Sequence, residues 1–596
     1  MAMSGTRKAV LIIGGIAAVL VLVVLIGLAV IFAVFRKSEP TIRNNSVLAL
    51  RVGGVLPDYV PDDPFRKFFG GPEQSLTGLL MQFKKAKVDK RIKAILLDID
   101  MSGVGWAKAE EIRDAIADFR TSGKPVYSYM EFGLNKEYYI ANACDRIYMA
   151  PPGELFTTGL AADVMFFRGS LDKLGVYPDI YQIGKYKSAA DIFTRKEMSD
   201  AHREATNSLL DDLYGRYVEA ISKGRKKTAD EARAIIDNAP YSASKAKDAG
   251  LIDGAMYRDE VEKELKSKLG YKESDELPIT RGSAYKDVEP ESLGLNKGER
   301  IAVIYGTGDI GSGKSENSPS GEQSIGSDTM ARAIGDAAAD KTIKAIVLRV
   351  DSPGGSGLAS DIIWHAVEGA KQKKPVVVSM GDVAASGGYY ISCGANKIVS
   401  QPSTITGSIG VLAGKPVVKG LYDWLGISNE YVLRGKNAGM FRETEKFSDS
   451  ERQKFQEWIN TTYYDDFVPK VARGRNKNVE YIDSVGQGRV WTGFQAKERG
   501  LVDEFGGLDR AVEVAKELAK IPADKGVQRV IFPYPRTFLQ ELFSGNDDPN
   551  TQIQQQRAII AAMPEDARRA FRYMALLDRM KDGDSMLLMP FDIRIK

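Results

Sequence analysis

The sequence predicts an α/β protein built from two copies of one βαβ module, preceded by a transmembrane helix. Three features of the 596 residues support this prediction. Short motifs recur about 250 residues apart, which indicates an internal duplication. Within each copy, short apolar runs alternate with helical patterns, as in parallel sheets covered by helices. A long uncharged stretch near the N-terminus is typical of a membrane span.

The N-terminal stretch Ala9–Phe35 contains 27 residues and no charge, and basic residues flank both of its ends. A helix needs about 20 apolar residues to cross the hydrocarbon core of a bilayer, so this run is long enough to span it with some tilt. It is too long for the apolar part of a cleaved signal peptide. We therefore expect an uncleaved membrane anchor, whose orientation the flanking charges do not determine.

The duplication is visible in matched motifs. Lys93–Asp100 (KAILLDID) corresponds to Lys344–Asp351 (KAIVLRVD), and Gly250–Asp253 (GLID) corresponds to Gly500–Asp503 (GLVD). The stretch between the copies is rich in Lys, Glu, Pro, Ser and Gly, which is typical of a linker. We therefore predict an anchor with its flank at 1–45, a first repeat at 46–270, a linker at 271–299, a second repeat at 300–520 and a C-terminal extension at 521–596.

The second copy shows the alternation most clearly. Ala345–Val350 is strand-like, Ser360–Ala370 is helical, Pro375–Ser379 is again strand-like and Gly387–Gly394 again helical. Strands that alternate with helices predict a parallel sheet with helices on its faces.

Composition excludes several classes of function. The net charge is +3, which gives no reason to expect a nucleic-acid partner. Only two Cys and two His are present, and they form no CxxC or HExxH pair, whereas structural zinc needs about four such ligands close together; we expect no metal or other cofactor. Neither His202 nor His365 lies in a motif typical of a catalytic base. A serine enzyme with this sequence would therefore need another proton acceptor.

The two copies differ at two positions that could carry chemistry. Opposite Ser386, in VAASGGYY, the first copy has Asn135. Opposite Lys187, in GKYKSA, the second copy has roughly Asn437. Each copy thus retains one member of a Ser-Lys pair, and we predict that the two halves contribute these residues to one site. Taken singly, each motif has a plain structural reading as a helix start, a solvated lysine or a turn.

The setting of Ser386 suits acyl transfer. The N–H of Gly387, at a predicted helix start, could donate to an oxyanion, and the glycine-rich loop Asp351–Gly357 could supply a second donor. A lysine acts as a base only when neutral, so the pKa of Lys187 would have to fall through burial. Ser408, in TGSIG, is a candidate to orient the amine.

Five motifs together resemble one known family. DSPGGSG, MGDVAASGGYY, TGSIG, GKYKSA and GLVDEFGG are similar to the long, duplicated form of the signal peptide peptidase A family, within the Clp-protease/crotonase superfamily. The resemblance extends from about Val47 to Leu518 and includes the N-terminal anchor. It implies a Clp-protease/crotonase-like fold for each repeat.

The resemblance also implies a function and a site. The chain would be a serine protease with Ser386 as nucleophile, Lys187 as general base and Ser408 orienting the lysine, while Gly354 and Gly387 form the oxyanion hole. It would be a single-pass protein of the bacterial inner membrane that faces the periplasm and degrades apolar signal-peptide remnants after signal peptidase has released them. Family members form a bowl-like homotetramer with an apolar groove.

Three other functions compete with this interpretation. A crotonase-type acyl-CoA enzyme shares the fold and the two-glycine oxyanion hole, and a catalytically inactive membrane scaffold shares the anchor. An ATPase is suggested by Gly308–Ser315, which matches the pattern GxxxxGKS of phosphate-binding loops. Such a loop should run directly into a helix, whereas here Pro319 and Gly321 follow and the helical pattern resumes only near Thr329. We therefore predict a flexible loop and no nucleotide.

Overall fold

The computed structural model describes residues 40–60, 74–315, 323–533, 585–589 and 594–595. Among these residues no helix combines the length and the apolar character that a membrane crossing requires. The expected anchor Ala9–Phe35 lies outside the described residues, so it remains a prediction.

The first repeat alternates strands and helices as expected. Its strands are β1 (Ser46–Gly54), β2 (Ile92–Ser102), β3 (Val126–Leu134), β4 (Arg146–Phe156), β5 (Ala162–Asp163), β6 (Tyr177–Ile183), β7 (Tyr241–Ser242), β8 (Gly254–Ala255) and β9 (Ile279–Arg281). Its helices are α1 (Leu76–Val88), α2 (Trp106–Arg120), α3 (Asn135–Ala141), α4 (Arg168–Lys173), α5 (Asp191–Thr194), α6 (Asp200–Arg225), α7 (Ala229–Asp237), α8 (Ala243–Asp248), α9 (Arg258–Lys268) and α10 (Gly282–Tyr285). Short 3₁₀ turns occur at Ser188–Ala190 and Pro290–Leu293.

The second repeat follows the same plan. Its strands are β10 (Glu299–Thr307), β11 (Asp309–Gly311), β12 (Ser324–Gly326), β13 (Ile343–Ser352), β14 (Gly354–Ser356), β15 (Val376–Ala385), β16 (Lys397–Ser400), β17 (Ile405–Gly407), β18 (Val411–Val417), β19 (Val490–Thr492), β20 (Glu504–Phe505) and β21 (Val527–Phe532). Its helices are α11 (Ser327–Ala339), α12 (Gly357–Lys371), α13 (Gly387–Cys393), α14 (Lys419–Leu425), α15 (Asp449–Asn460), α16 (Val468–Arg475), α17 (Val479–Val485), α18 (Gly493–Glu498) and α19 (Leu508–Leu518), with a π-helical turn at Thr461–Phe467. The C-terminal extension adds β22 (Met586–Leu588) and β23 (Arg594–Ile595).

Each repeat is organised around a mainly parallel sheet. The strand order is β7-β4-β3-β2-β1-β9 in the first sheet and β19-β17-β15-β13-β10-β21 in the second. The central strands β2 and β13 are buried along most of their length. Burial on both faces is what continuous apolar runs such as AILL and AIVL require, because helices cover both sides of the sheet. The α/β duplication predicted from the sequence is confirmed.

The segment 271–299 contributes to the first sheet. Its strand β9 pairs in parallel with β1, in a register that joins Ile279 to Val47. The corresponding strand of the second repeat, β21, pairs with β10 in the same way. Each sheet is therefore completed by a strand that follows the predicted end of its repeat.

A third sheet joins the two repeats and the C-terminal extension. Its strand order is β12-β11-β14-β22-β18-β6. Strand β6 belongs to the first repeat and pairs antiparallel with β18 of the second, from Ile183 opposite Val411 to Tyr177 opposite Val417. Strand β22 belongs to the extension. This sheet brings parts of the chain that are distant in sequence to the same edge of the second repeat.

The loop that resembles a phosphate-binding motif does not lead directly into a helix. Its lysine and serine, Lys314 and Ser315, lie 12 or more residues before the next described helix, which begins at Ser327. The Ser315 N–H donates to the Thr329 hydroxyl over 2.9 Å, and Gly313 O accepts from the Asp328 N–H over 2.8 Å, so the loop caps the first turn of that helix. A phosphate-binding loop would instead leave the N–H groups at the helix N-terminus free to donate to the phosphates.

Candidate active site

Ser386 lies at a sharp turn between a strand and a helix. It follows β15 and immediately precedes α13, with φ +54° and ψ −112°, an unusual conformation for a residue other than glycine. Two backbone hydrogen bonds of 2.8 Å hold this turn, from Ser386 N–H to Gly407 O and from Tyr390 N–H to Ser386 O. The serine side chain is completely buried. The turn therefore fixes one buried hydroxyl at the end of a central strand.

Lys187 reaches this serine because the first repeat inserts a strand into the second. The residue follows β6, which is held by its antiparallel pairing with β18. Beyond the strand, Tyr186 N–H donates to Gln487 O over 2.7 Å. A Cβ atom at Gly488 would lie 2.5 Å from the Cβ of Lys187, so the two loops touch where one of them has no side chain. The lysine is thus positioned from the second repeat as well as from its own.

The three polar residues predicted for the site lie within hydrogen-bond distance of one another. Lys187 Nζ is 2.8 Å from Ser386 Oγ, 3.0 Å from Ser408 Oγ and 3.1 Å from Ser408 O. All three side chains are fully buried. A neutral amine has two N–H bonds and one lone pair, which matches two acceptors on Ser408 and one hydroxyl donor on Ser386.

Burial is the physical cause that changes the proton affinity of Lys187. Removal of the charged ammonium from water lowers the pKa of Lys187 well below its ordinary value of 10.5. A lowered pKa makes the neutral amine available at lower pH, and only the neutral amine can accept the proton of a hydroxyl group.

The two glycines predicted to stabilise an oxyanion are in direct contact. Gly354 begins β14 with φ +113°, in the range that favours glycine. A Cβ atom at Gly354 would lie 2.8 Å from Gly387 N, and one at Gly387 would lie 3.1 Å from the Cα of Gly354. Next along this loop, the Ser356 hydroxyl caps α12 by accepting from Ala359 N–H. The backbones of the two glycines thus meet beside Ser386.

The corresponding positions of the other repeat are used structurally. Asn135 of the first repeat donates its amide N–H to Gly159 O over 2.8 Å and accepts from Gly159 N–H over 3.2 Å. Asn437, the approximate counterpart of Lys187, accepts a hydrogen bond of 2.9 Å from the Ser450 hydroxyl. These amides bind neighbouring groups at the places where the other copy has its serine and its lysine.

A buried cluster of charges beside the site was not predicted from the sequence. Lys108 of the first repeat lies 2.7 Å from Asp351, the first residue of the glycine-rich loop, and 3.6 Å from Asp58. Arg349 binds Asp58 at 2.8 Å and Glu111 at 2.5 Å. Asp351 in turn accepts from the backbone N–H of a residue in β15 over 3.0 Å. These ion pairs tie the first repeat to the loop and to the strand that carry the site.

The cluster raises the pKa values of Lys108 and Glu111 for different physical reasons. Burial alone would lower the pKa of Lys108, but the carboxylates of Asp351 and Asp58 outweigh it and raise the pKa above the ordinary range. Burial raises the pKa of Glu111 to about 7, although the Arg349 guanidinium opposes this shift. Little in the sequence indicated this cluster of charges, because Asp351 is part of the motif DSPGGSG whereas Lys108 belongs to no motif.

A second unpredicted feature is the position of strand β22. It lies between β14 and β18 and pairs antiparallel with β14, next to Gly354. Nothing local in the C-terminal extension indicates this position, because the strand contains only three residues and its partners lie far away in sequence.

Comparison with known proteins gives the class and the family. The model described as Peptidase family S49 matches residues 118–272 and 368–522, one match in each repeat. The chain is therefore a serine protease with a duplicated peptidase domain. It belongs to peptidase family S49.

Its relatives cover most of the chain. It is 37% identical over 505 residues to "Serine protease SPPA, chloroplastic" of Arabidopsis thaliana, covering 85% of this chain and 74% of the relative. It is 35% identical over 522 residues to "Protease 4" of Salmonella typhi, covering 84% and 83%. A shorter match, 38% identical over 185 residues, is with "Putative signal peptide peptidase SppA" of Enterococcus faecium, covering 30% of this chain and 53% of the relative.

Proposed function

We propose that this protein hydrolyses apolar peptides, with Ser386 as nucleophile and Lys187 as general base. The observation that carries the proposal is the 2.8 Å contact between Lys187 Nζ and Ser386 Oγ in a fully buried setting. General-base catalysis contributes typically about 10²- to 10⁴-fold to a rate, and it requires a neutral base within hydrogen-bond distance of the nucleophile.

The reaction proceeds through an acyl-enzyme. Lys187 accepts the proton of Ser386 while Oγ attacks the substrate carbonyl carbon, and the oxyanion that forms accepts from Gly354 N–H and Gly387 N–H. The intermediate collapses when Lys187 gives that proton to the leaving amine, which breaks the peptide bond and leaves an ester on Ser386. Water then attacks the ester, Lys187 takes a proton from it, and collapse releases the new carboxyl group and restores the serine hydroxyl. Ser408 orients the amine in both steps.

We propose remnants of signal peptides as the substrates. The Enterococcus faecium relative is named a putative signal peptide peptidase, which supports this assignment. Apolar side chains also surround strand β22 where it lies between β14 and β18, and a site with such a lining suits an apolar peptide. A predicted membrane span would hold the enzyme close to peptides left in a bilayer.

We further propose that the chain is anchored in the bacterial inner membrane with its repeats in the periplasm. The uncharged stretch Ala9–Phe35 supports this proposal. Full-length protein should stay in the membrane fraction after an alkaline wash, and protease added to spheroplasts should digest the repeats. Release by the wash, or protection in spheroplasts, would contradict the location.

We propose that the enzyme assembles as a homotetramer. Residues 427–433 are the second-repeat equivalent of β6, yet all of them are exposed, including Val432 at 85%, and Trp424 just before them is 76% exposed. A segment that is paired in one repeat and exposed in the other suits head-to-tail contact with another copy, and such contacts close into rings. Val432→Asp should dissociate the assembly in analytical ultracentrifugation, whereas Val88→Asp, at another exposed valine, should not.

Hydrolysis of a detergent-solubilised apolar peptide tests the catalytic assignment. Ser386→Ala and Lys187→Ala should each lose at least about 10²-fold in kcat. Ser392→Ala and Lys185→Ala are matched controls, because the first alters a nearby buried serine and the second an exposed lysine two residues away. Near-wild-type turnover by either test variant would refute the pair. Thioester hydrolysis that survives Ser386→Ala, without peptide cleavage, would favour an acyl-CoA enzyme.

A further inference from the structure

The C-terminal segment Ser585–Met589 lies between β14 and β18, beside the catalytic serine. Its strand β22 runs antiparallel to β14, with Leu587 opposite Gly355, and also contacts β18. Gly357 N–H donates to Ser585 O over 2.8 Å, and Met589 N–H donates to Pro353 O over 2.8 Å. The segment therefore adds a strand to the glycine-rich loop, which is how extended peptides are recognised by an open sheet edge.

The side chains of this segment enter apolar pockets. Met586 and Leu588 pack in one cluster, Leu587 belongs to the core of the second repeat, and Met589 packs in another cluster. All five residues from Ser585 to Met589 are at most 9% exposed. The first pocket is lined by Leu171, Val176, Ala189, Ile192, Phe193 and Leu412. The pocket around Met589 is lined by Ala205, Leu209, Ala385 and Val490.

The register places Met589 at the catalytic residues. Ala385, in its pocket, directly precedes Ser386, and the partly buried Tyr186 of the same cluster directly precedes Lys187. The preceding residue, Leu588, lies opposite Gly354. A peptide bound in this way presents the carbonyl group of its residue at the Met589 position to the nucleophile.

We infer that Ser585–Met589 occupies in cis the groove that binds substrate, so that the C-terminal extension competes with peptide substrates. The pocket around Met589 then takes the apolar side chain on the N-terminal side of the cleaved bond. This inference rests on the proposed function for the identity of the groove. The extension is then an intramolecular competitor. A substrate binds only in the fraction of molecules whose groove the segment has left.

Kinetics of full-length variants measure this competition. If the segment fills the groove in about 90–99% of molecules, a variant that releases it lowers the apparent KM by about 10- to 100-fold and leaves kcat unchanged. Met589→Asp and Leu587→Asp should both have this effect, because each would bury a carboxylate in an apolar pocket. Lys581→Ala, upstream in the same extension, should not. An unchanged KM in both Asp variants would overturn the inference.

Direct binding separates this inference from the proposed function. A fluorescent peptide of sequence Ser-Met-Leu-Leu-Met should bind Ser386→Ala/Met589→Asp and bind Ser386→Ala at least about tenfold more weakly, because the second variant keeps its own segment in the groove. The same peptide with Asp at its last position should bind neither. Equal binding to both proteins would overturn the competition even if Ser386 proves essential for hydrolysis. Unequal binding would uphold it even if hydrolysis proves to need another residue.

Discussion

Replacement of Gly354 by alanine tests the proposed oxyanion hole. The residue has φ +113°, a conformation that costs a non-glycine residue about 1–3 kcal/mol. A Cβ atom there would lie 2.8 Å from Gly387 N, so the two proposed donors could not keep their separation. Loss of one such donor typically costs about 3 kcal/mol of transition-state stabilisation, which corresponds to about a 150-fold decrease in kcat.

The assay must separate this effect from displacement of the C-terminal segment. The same Cβ atom would lie only 1.9 Å from Leu587 O, so Gly354→Ala should also expel the segment. We therefore expect the decrease in kcat, measured at saturating apolar peptide, to persist in Gly354→Ala/Met589→Asp. Gly335→Ala is the matched control, because it adds a methyl group to helix α11 with nothing within 4 Å. A folded Gly354→Ala whose kcat stays within about threefold of wild type would refute the oxyanion role.

Four further predictions concern the site and the cluster beside it. Because burial lowers the pKa of Lys187, activity should rise with pH as the amine loses its proton and should level off below pH 10.5; an unchanged rising limb in Lys187→Arg would contradict this. The unfolded chain binds a proton that the folded amine lacks, so wild-type stability falls as pH decreases below 10.5, and Lys187→Met should be increasingly more stable than wild type in urea unfolding. Ser408→Ala should lower kcat about tenfold through loss of the 3.0 Å contact with the amine, without a change in melting temperature beyond a few degrees; full activity would remove Ser408 from the mechanism. Lys108→Met should destabilise the fold by about 3–5 kcal/mol because it leaves buried carboxylates without their cation, while the exposed Lys93→Met should have no such effect in the same urea titration.

Much of the fold can be predicted from the sequence, because the patterns that indicate it are local and occur in both repeats. Runs such as KAILLDID and KAIVLRVD predict buried parallel strands, and in the structure these residues form β2 and β13. The strand that carries the serine is longer than expected, since β15 continues from Val376 through Ala385. The sequence did not predict this continuation, because polar residues interrupt the apolar run after Ser379. In the structure Asp382 remains in the strand, where its carboxylate caps helix α2 of the first repeat. That contact spans more than 270 residues of sequence, so no local pattern reports it.

The candidate site, too, was predictable from the sequence only in part. Complementary replacement in the two copies was enough to pair Ser386 with Lys187, because a duplication supplies its own internal comparison. The distance of 2.8 Å between them depends on the pairing of β6 with β18, which is a contact between repeats. The role of the extension could not be predicted from the sequence, since five consecutive buried residues carry no alternating pattern and form a strand only where two open strand edges lie beside them.

The sequence by itself determined the duplication, the α/β class and the types of residue available for catalysis, because each of these follows from periodicity and from matched motifs. The tertiary structure alone decided how the halves meet, which charges are buried between them and what lies in the groove. Those features depend on backbone edges and on desolvation, and both exist only after distant segments have packed together.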